Sequence, residues 1–475
     1  MPLPLGGRIP TGFASEIVLS ETSFRAGHRN NQSGLEPPAK KHKREQRGDS
    51  AVVYGANAYK GPWARFEEER PDATASDEDG EDVEVVYEED EIAPQPAAPA
   101  TKAGTDYGET GGAGETSTFH GTEERDYQGR TYMHVPLDLD IDLRGDTSGL
   151  KNYTPKKLIH TWKAHSKPVT QMRFMPDSGH LLLTASADAK VLLFDVYHQR
   201  ELLRSYAGHS KSVNDVSFNC DGTRFLTASY DRQMKLWDTE TGACLGRYST
   251  GKTPHVIRFN PSNDALGHEF IAGMADKKIV QFDTRAGGTV NPNSASTAEP
   301  TSSSALVQEY DHHLGPVNTL TFCDHARRFV STSDDKSLRA WEYGIPVPIK
   351  FIAEPYMFSM VRAAPHPSGK FIAFQSADNQ IVVYASTERF RQNRKKGFRG
   401  HNNAGYAIDV DISPDGQIVM SGDTGGYVCF WDWKTCKMWH KIQASDGPVV
   451  ACQWHPRETS KVVTADLNGT IKYWD

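Results

Sequence analysis

The sequence predicts an all-β protein: seven copies of one short antiparallel meander stacked side by side, behind a long, largely disordered N-terminal region. Three observations carry this. An aromatic residue, in most copies followed by Asp or Glu, recurs at a basic interval of about 43 residues. Before each lie three short runs of alternating apolar residues, parted by Asp and Gly turns. Residues 1 to about 125 show no such periodicity and are rich in Gly, Pro, Ala, Ser, Glu and Asp.

The clearest copy is 204–238, RSYAGHSKSVNDVSFNCDGTRFLTASYDRQMKLWD. Val213, Val216 and Phe218 mark a first strand, Phe225, Leu226 and Ala228 a second, and Met234, Leu236 and Trp237 a third. Asn219, Asp221 and Gly222 form the first turn, and Tyr230, Asp231 and Arg232 the next. Period-two alternation makes each run a strand with two distinct faces. One meander cannot bury both faces alone, so the copies must stack. Closing aromatics fall at Phe194, Trp237, Phe282, Trp341, Tyr384, Trp431 and Trp474. Six residues before the first five stand Asp188, Asp231, Asp276, Asp335 and Asp378. His165, His209 and His313 each precede a first-strand Val by four positions, and His401 follows Gly400 in the sixth copy.

These features resemble the WD40 repeat family, whose units are four-stranded blades of a β-propeller. The resemblance implies a seven-bladed WD40 β-propeller. It also implies that His, a second-strand Ser or Thr, the turn Asp and the Trp form a buried hydrogen-bonded fastener. The implied members are His165 and Asp188 in blade one; His209, Asp231 and Trp237, with Thr227 or Ser229, in blade two; His313, Asp335 and Trp341 in blade four; and His401 and Trp431 in blade six. Recurring Ser, His and Asp are therefore architecture. Seven near-copies of a catalytic triad in one chain make no chemical sense, and no G-x-S-x-G elbow is present. An enzyme is not expected, nor a cofactor, a metal site or a small-molecule substrate.

Some copies depart from the pattern. Blade three lacks the His, and blade five has Pro355, Tyr356 and Met357 in its place. Gly425 and Asn468 replace the turn Asp in blades six and seven, and Ser445 replaces the His in blade seven. A Ser/Thr/Pro-rich stretch, about 286–305, is expected to loop out of blade three. The last copy stops after its third strand, while the strand-like LIHTW, 158–162, stands spare before the first. Pairing the two would close the ring and remove its open edges. The propeller is thus expected over 156–475, with a peptide arm over 126–155 and a disordered acidic tail over 1–125.

The chain has 475 residues and a formal charge of −8, but the charge is uneven. Residues 1–150 carry 15 Lys and Arg against 29 Asp and Glu, giving −14, and the remainder carries +6. No run of eighteen apolar residues exists, so no membrane span is expected. The first residues lack the apolar core of a secretion signal. The six cysteines are scattered through the repeats without a C-x-x-C pair, which reads as reduced, intracellular packing.

Three islands interrupt the tail. Lys40, Lys41, Lys43 and Arg44 form a compact basic cluster of the nuclear-import kind. In YKGPWARF, 59–66, Trp63 and Phe66 read as a docking segment, and Gly61 and Pro62 offer a prolyl isomerase a bond to act on. Residues 77–91 are acidic. The arm opens with DYQGR, in which Tyr127 and Arg130 are candidate partner contacts. On the propeller, Lys167, Lys211 and Lys252 fall in opening loops, and Arg232, Lys277, Lys278 and Lys336 in or beside the Asp turns. They would form a basic arc suited to RNA or an acidic partner; the competing reading is ordinary solvated turns. A second basic run holds Arg389, Arg391, Arg394, Lys395 and Lys396 interleaved with Phe390 and Phe398, which suits stacking and backbone neutralisation or simply a solvated outer strand.

GPWARF, DYQGRTYMHVP, TPKKLIHTWKAHSKPV, AGMADKKIVQFDTR, STSDDKSLRAWE, FIAEPYMFSMV, SADNQIVVY, GHNNAGYAIDVDISPDG and HPRETSKVVTAD follow in order. In that order they are similar to a family of WD40 pre-mRNA-processing factors of the second splicing step, from about residue 61 onwards. The resemblance implies a nuclear, non-catalytic spliceosome component acting around exon ligation. Its expected partners are spliceosomal proteins, small nuclear RNAs and pre-mRNA. A second reading is a substrate receptor of a cullin-type ubiquitin ligase, because Phe282, Asp283, Thr284 and Arg285 approximate the WD-x-R box of such propellers.

Overall fold

A computed structural model describes residues 114–125, 128–136, 139, 143, 145, 149–262, 265–286, 305–387 and 389–475. Seven antiparallel sheets form a seven-bladed β-propeller. Their strands span 169–207, 213–248, 254–310, 317–352, 360–399, 410–443 and 449–474, here blades one to seven.

The alternating runs explain the packing. A central strand such as Leu181–Ser186 is buried at all six positions because both of its faces meet a neighbouring blade. Leu181, Leu183 and Ala185 point into the seam with blade two, whereas Leu182 points into the seam with blade seven. The apolar core is accordingly seven seams, one between each pair of adjacent blades. Trp237, Trp341 and Trp431 are among the largest fully buried side chains in them.

Leu158–Trp162 pairs antiparallel with Ile471–Trp474 and is the outer strand of blade seven. The backbone carbonyl of Asp475 accepts the amides of Lys156 (2.7 Å) and Lys157 (2.6 Å), extending that seal.

One expectation fails at its boundary. The disordered tail was to run to residue 125, yet Thr116–Phe119 is a strand added to the outer edge of blade one, Thr116 opposite Ala207 and Phe119 opposite Arg204. Blade one therefore has five strands. The expectations for Lys40, Lys41, Lys43, Arg44, Trp63, Phe66, the Gly61 to Pro62 bond and Tyr127 concern positions outside the described residues, as does most of the 286–305 insertion. Ala305 is fully buried where the chain re-enters blade three.

Candidate interaction surfaces

The loops that open each blade and the turns between its second and third strands share one face of the ring. In blade two, His209 Nδ1 lies 2.7 Å from Asp231 Oδ2, and its Nε2 lies 2.7 Å from Thr227 Oγ1. The indole of Trp237 donates to the same Thr227 oxygen at 3.1 Å. A carboxylate only accepts, so Nδ1 carries the proton and the threonine hydroxyl donates to Nε2. Blade four repeats this: His313 bonds Asp335 (3.1 Å) and Ser331 (2.7 Å), and Trp341 bonds Ser331 (2.8 Å). Blade one has His165 between Asp188 (2.9 Å) and Thr184 (2.8 Å), with Phe194 in the tryptophan position. Burial opposes the Asp335 charge, but hydrogen bonds from Ser337, the Leu314 amide and His313 prevail and hold its pKa at about 2.

Blade six does not build the expected fastener. His401 Nε2 meets the side-chain amide of Gln375 (2.8 Å), and the Trp431 indole donates to the Arg399 carbonyl (3.0 Å). The reason is local: Gly425 offers no carboxylate, and Asp423, two residues earlier, caps the turn through the amides of Asn402 and Gly425 and pairs with Lys441 (2.8 Å). Blade seven uses the same displacement, Asp466 accepting from Ser445 Oγ (2.6 Å) and from the amides of Asn468 and Thr470.

A second surface is the N-terminal arm on the outer edge and opposite face. Glu115 is buried and reaches Lys235 (2.7 Å) and Arg247 (2.6 Å) of blade two. Burial would raise its carboxyl pKa, but the bonds from Arg247 and Lys235 win and hold it below the usual range. Arg204 gathers the rest: it donates to Tyr132 Oη (3.0 Å), Ser117 Oγ (3.2 Å) and the Thr241 carbonyl (3.1 Å). Its guanidinium also lies against the rings of Phe119 and Tyr132. Tyr132 in turn donates toward the carbonyls of Thr239 and Glu240. Gly242, at φ +75°, lets this contact form, since a Cβ there would collide with Ser117 Oγ. Further on, Asn152 clamps blades six and seven, exchanging bonds with Asp415 and donating to the carbonyls of Glu458 and Thr459.

The innermost strands line a central cavity of about 420 Å³. Arg173 and Arg258 both approach Asp215, and Arg362 pairs with Asp409 (3.2 Å). Burial raises the pKa of Asp409 and pushes that of Asp411 up to about 7. Asp215 of blade two thus joins arginines of blades one and three, and Arg362 of blade five reaches Asp409 beside blade six, so these pairs bind blade to blade. Sequence reasoning missed it, although polar residues alternating within apolar first strands, as in VTQMRF and VNDVSF, carry the signal.

The WD domain, G-beta repeat, matches residues 156–195, 200–238, 304–342, 392–432 and 434–475. Each match takes the outer strand of one blade and the three inner strands of the next, which is why Leu158–Trp162 belongs to blade seven. The unmatched stretches hold the inner strands of blades three and five. Pre-mRNA-processing factor 17 of Homo sapiens is 46% identical over 435 residues, covering 92% of this chain and 70% of that protein. Pre-mRNA-processing factor 17 of Saccharomyces cerevisiae is 37% identical over 362 residues, 76% of each chain. This chain belongs to the pre-mRNA-processing factor 17 family. WD repeat-containing protein 25 of Mus musculus is more distant, at 24% identity over 67% of this chain and 58% of its own.

In this member of the pre-mRNA-processing factor 17 family, the expected basic arc is only partly available. Lys167, Lys211, Arg232, Lys252, Lys277 and Lys336 are exposed on the face of the His and Asp loops. Arg232, Lys277 and Lys336 sit at φ of 70°, 76° and 59°, the left-handed position that the tight turn after Asp imposes. Lys278 is committed to Glu309 (2.7 Å), and Lys336 lies over the ring of Phe358. Arg130 is half-buried at the start of the arm.

The second basic run is corrected more strongly. Gln392–Arg399 is the outer strand of blade five, and Phe390 and Phe398 are buried in the seams on either side. Phe398 turns inward from the strand and Phe390 from the turn before it, so neither ring is left for stacking. Arg394 pairs with Glu354, and Lys396 donates to the Trp433 carbonyl over that indole. Arg389, Arg391 and Lys395 are exposed.

Proposed function

We propose that the chain is a nuclear, non-catalytic scaffold of the spliceosome that acts around the second transesterification, exon ligation. The observation that carries this reading is the similarity to pre-mRNA-processing factor 17 of human and yeast, over 92% and 76% of this chain. The expectations drawn from GPWARF and DYQGR give it attachment segments. In this reading RNA and its metal ions perform the phosphoryl transfers, while the propeller docks and the N-terminal segments thread between partner proteins. Extended segments that order on binding bury much area per residue yet release readily. That suits an assembly rebuilt between two reactions. Lys40, Lys41, Lys43 and Arg44 would direct import. Trp63, Phe66, Tyr127 and Arg130 would contact partners, and the exposed cations of the arc, with Arg389, Arg391 and Lys395, would meet RNA or an acidic protein surface. The ubiquitin-ligase reading has less support, because Arg285 is already engaged by Asp283 through its Nε and terminal nitrogens.

The test is a splicing time course in extract depleted of the protein, with and without its return. Accumulated lariat intermediate and free upstream exon, relieved by the added protein, is the expected result. Normal accumulation of ligated exons in the depleted extract would overturn the second-step role.

A further inference from the structure

The outer strands of the blades are the edges of the molecule, and their sequences differ in how they protect themselves. An unpaired edge invites another strand unless charge or a covering element prevents it. Blade one is covered by Thr116–Phe119. Blade five presents Arg394, Lys395, Lys396 and Arg399 along Gln392–Arg399, and blade six presents His440 and Lys441 along Met438–Gln443. Blade four does neither. Its outer strand, Pro348–Ile352, carries one charge, Lys350, and three consecutive exposed residues at its centre.

Of thirteen exposed large apolar side chains among the described residues, six fall within 345–358: Ile345, Val347, Ile349, Phe351, Tyr356 and Phe358. Singly exposed apolar residues are normal, whereas a contiguous strip marks an interaction site. Ile349 and Phe351 are 46% and 54% exposed; Lys350 lies opposite Ala340 and Pro348 opposite Trp341, so Ile349 is the extra residue of a β-bulge. Phe351 lies opposite Arg339, whose guanidinium covers one side of its ring at 4.6 Å and leaves the rest open. Alternate backbone amides and carbonyls of this strand point away from its partner Leu338–Glu342.

We propose that the outer edge of blade four is a docking site for an extended segment of a partner protein, which adds as a fifth strand. Its alternate apolar side chains meet Ile349 and Phe351, and an acidic residue faces Lys350. Three features favour this occupant. Beyond the bulge the edge supplies backbone hydrogen bonds from Lys350 to Ile352 beside exposed apolar side chains, the two halves of recognition by strand addition. This fold accepts a fifth strand, as blade one demonstrates. RNA would be served by several cations, and the edge has one. The site does not depend on which assembly the chain joins, so this proposal and the second-step reading can fail separately.

The test uses the full chain and a fluorescein-labelled decapeptide alternating Val or Ile with Glu or Thr. Anisotropy is compared with that of the same peptide carrying a central Pro, and of oligouridine. Ile349→Lys and Phe351→Glu are exposed changes that should leave the melting midpoint in place and supply the controls. The expected result is peptide binding weakened at least tenfold by the Pro and by either variant, with slowed amide exchange across 348–352 on binding. Three results would each overturn the proposal: no peptide binding, binding indifferent to Pro and to both variants, or oligouridine protecting the strand. Concentration-dependent protection of 348–352 without peptide would overturn it in favour of a second copy of this chain.

Discussion

Replacing Glu115 by Gln tests whether the arm is held by one buried charge cluster. The carboxylate joins Lys235, whose side chain is 4% exposed, to Arg247, which is 33% exposed. Arg247 can turn to water when the charge is lost; Lys235 cannot, and keeps only the Gly208 carbonyl at 2.5 Å. Breaking a buried pair by removing one member costs about 3–5 kcal/mol, mostly through the stranded charge. The ring has no need to bear that cost. Thr116–Phe119 holds the edge by four register pairs and can lift away, returning Lys235 to solvent. The expected outcome is local opening, about 100-fold to 4000-fold greater at 1.4 kcal/mol per decade, with the melting midpoint of the propeller nearly unchanged. Amide exchange of 115–119 and tryptic cleavage after Arg125 read the first quantity, and a thermal scan the second. Unchanged exchange in the arm, or a fall in the midpoint as large as that of a blade mutation, would refute this account.

Other consequences can be measured in the same way. Asp231→Ala strands His209 Nδ1 and the amides of Ser210 and Gln233, and should cost about 1–3 kcal/mol in the guanidinium midpoint; an unmoved midpoint would remove the fastener from the stability of blade two. Burial lowers the pKa of His401 to about 4 and of His455 to about 3. The unfolded chain takes up those protons near 6.5, so the contribution is complete above that pH and is lost as pH falls toward 4. At pH 5 each group should forfeit about 2 kcal/mol, seen as a lower urea midpoint than at pH 7; a flat profile would contradict neutral buried imidazoles. Trp63→Ala with Phe66→Ala should weaken co-purification with small nuclear ribonucleoproteins while sparing the melting temperature, whereas a large fall in melting temperature would place those rings in the folded body.

The repeats were legible because two periods coincide in them. Alternation at period two fixes which residues enter each seam, and the aromatic closure fixes where each blade turns. His209, Asp231 and Trp237 could be named together because three short strands and the tight turns between them set their spacing. The failures have physical causes of the same scale. In blades six and seven the carboxylate moved two residues toward the strand, to Asp423 and Asp466, which a fixed spacing cannot detect. Thr116–Phe119 is only four residues long, with a single large apolar side chain and no apolar alternation to announce it. It is ordered by Glu115 reaching Lys235 and Arg247, more than a hundred positions away, and no local pattern records that. Phe390 and Phe398 looked available beside their arginines, but the turn before the outer strand buries the first in the seam with blade four and the strand buries the second in the seam with blade six.

The seal between Leu158–Trp162 and Ile471–Trp474 bears on how the molecule is made. Trp162 and Ile471 pair across 309 positions of sequence. During synthesis blades one to six can assemble in order as they leave the ribosome, but blade seven waits for a strand translated after all of them to meet one translated before them. Until then an outer strand is unpaired at one end of the array and a half-built sheet is open at the other. Closing so long a loop is entropically only slightly dearer than closing a shorter one, yet the search is slow. Ring closure is therefore the step at which a nascent chain stands most exposed to aggregation and gains most from a chaperone.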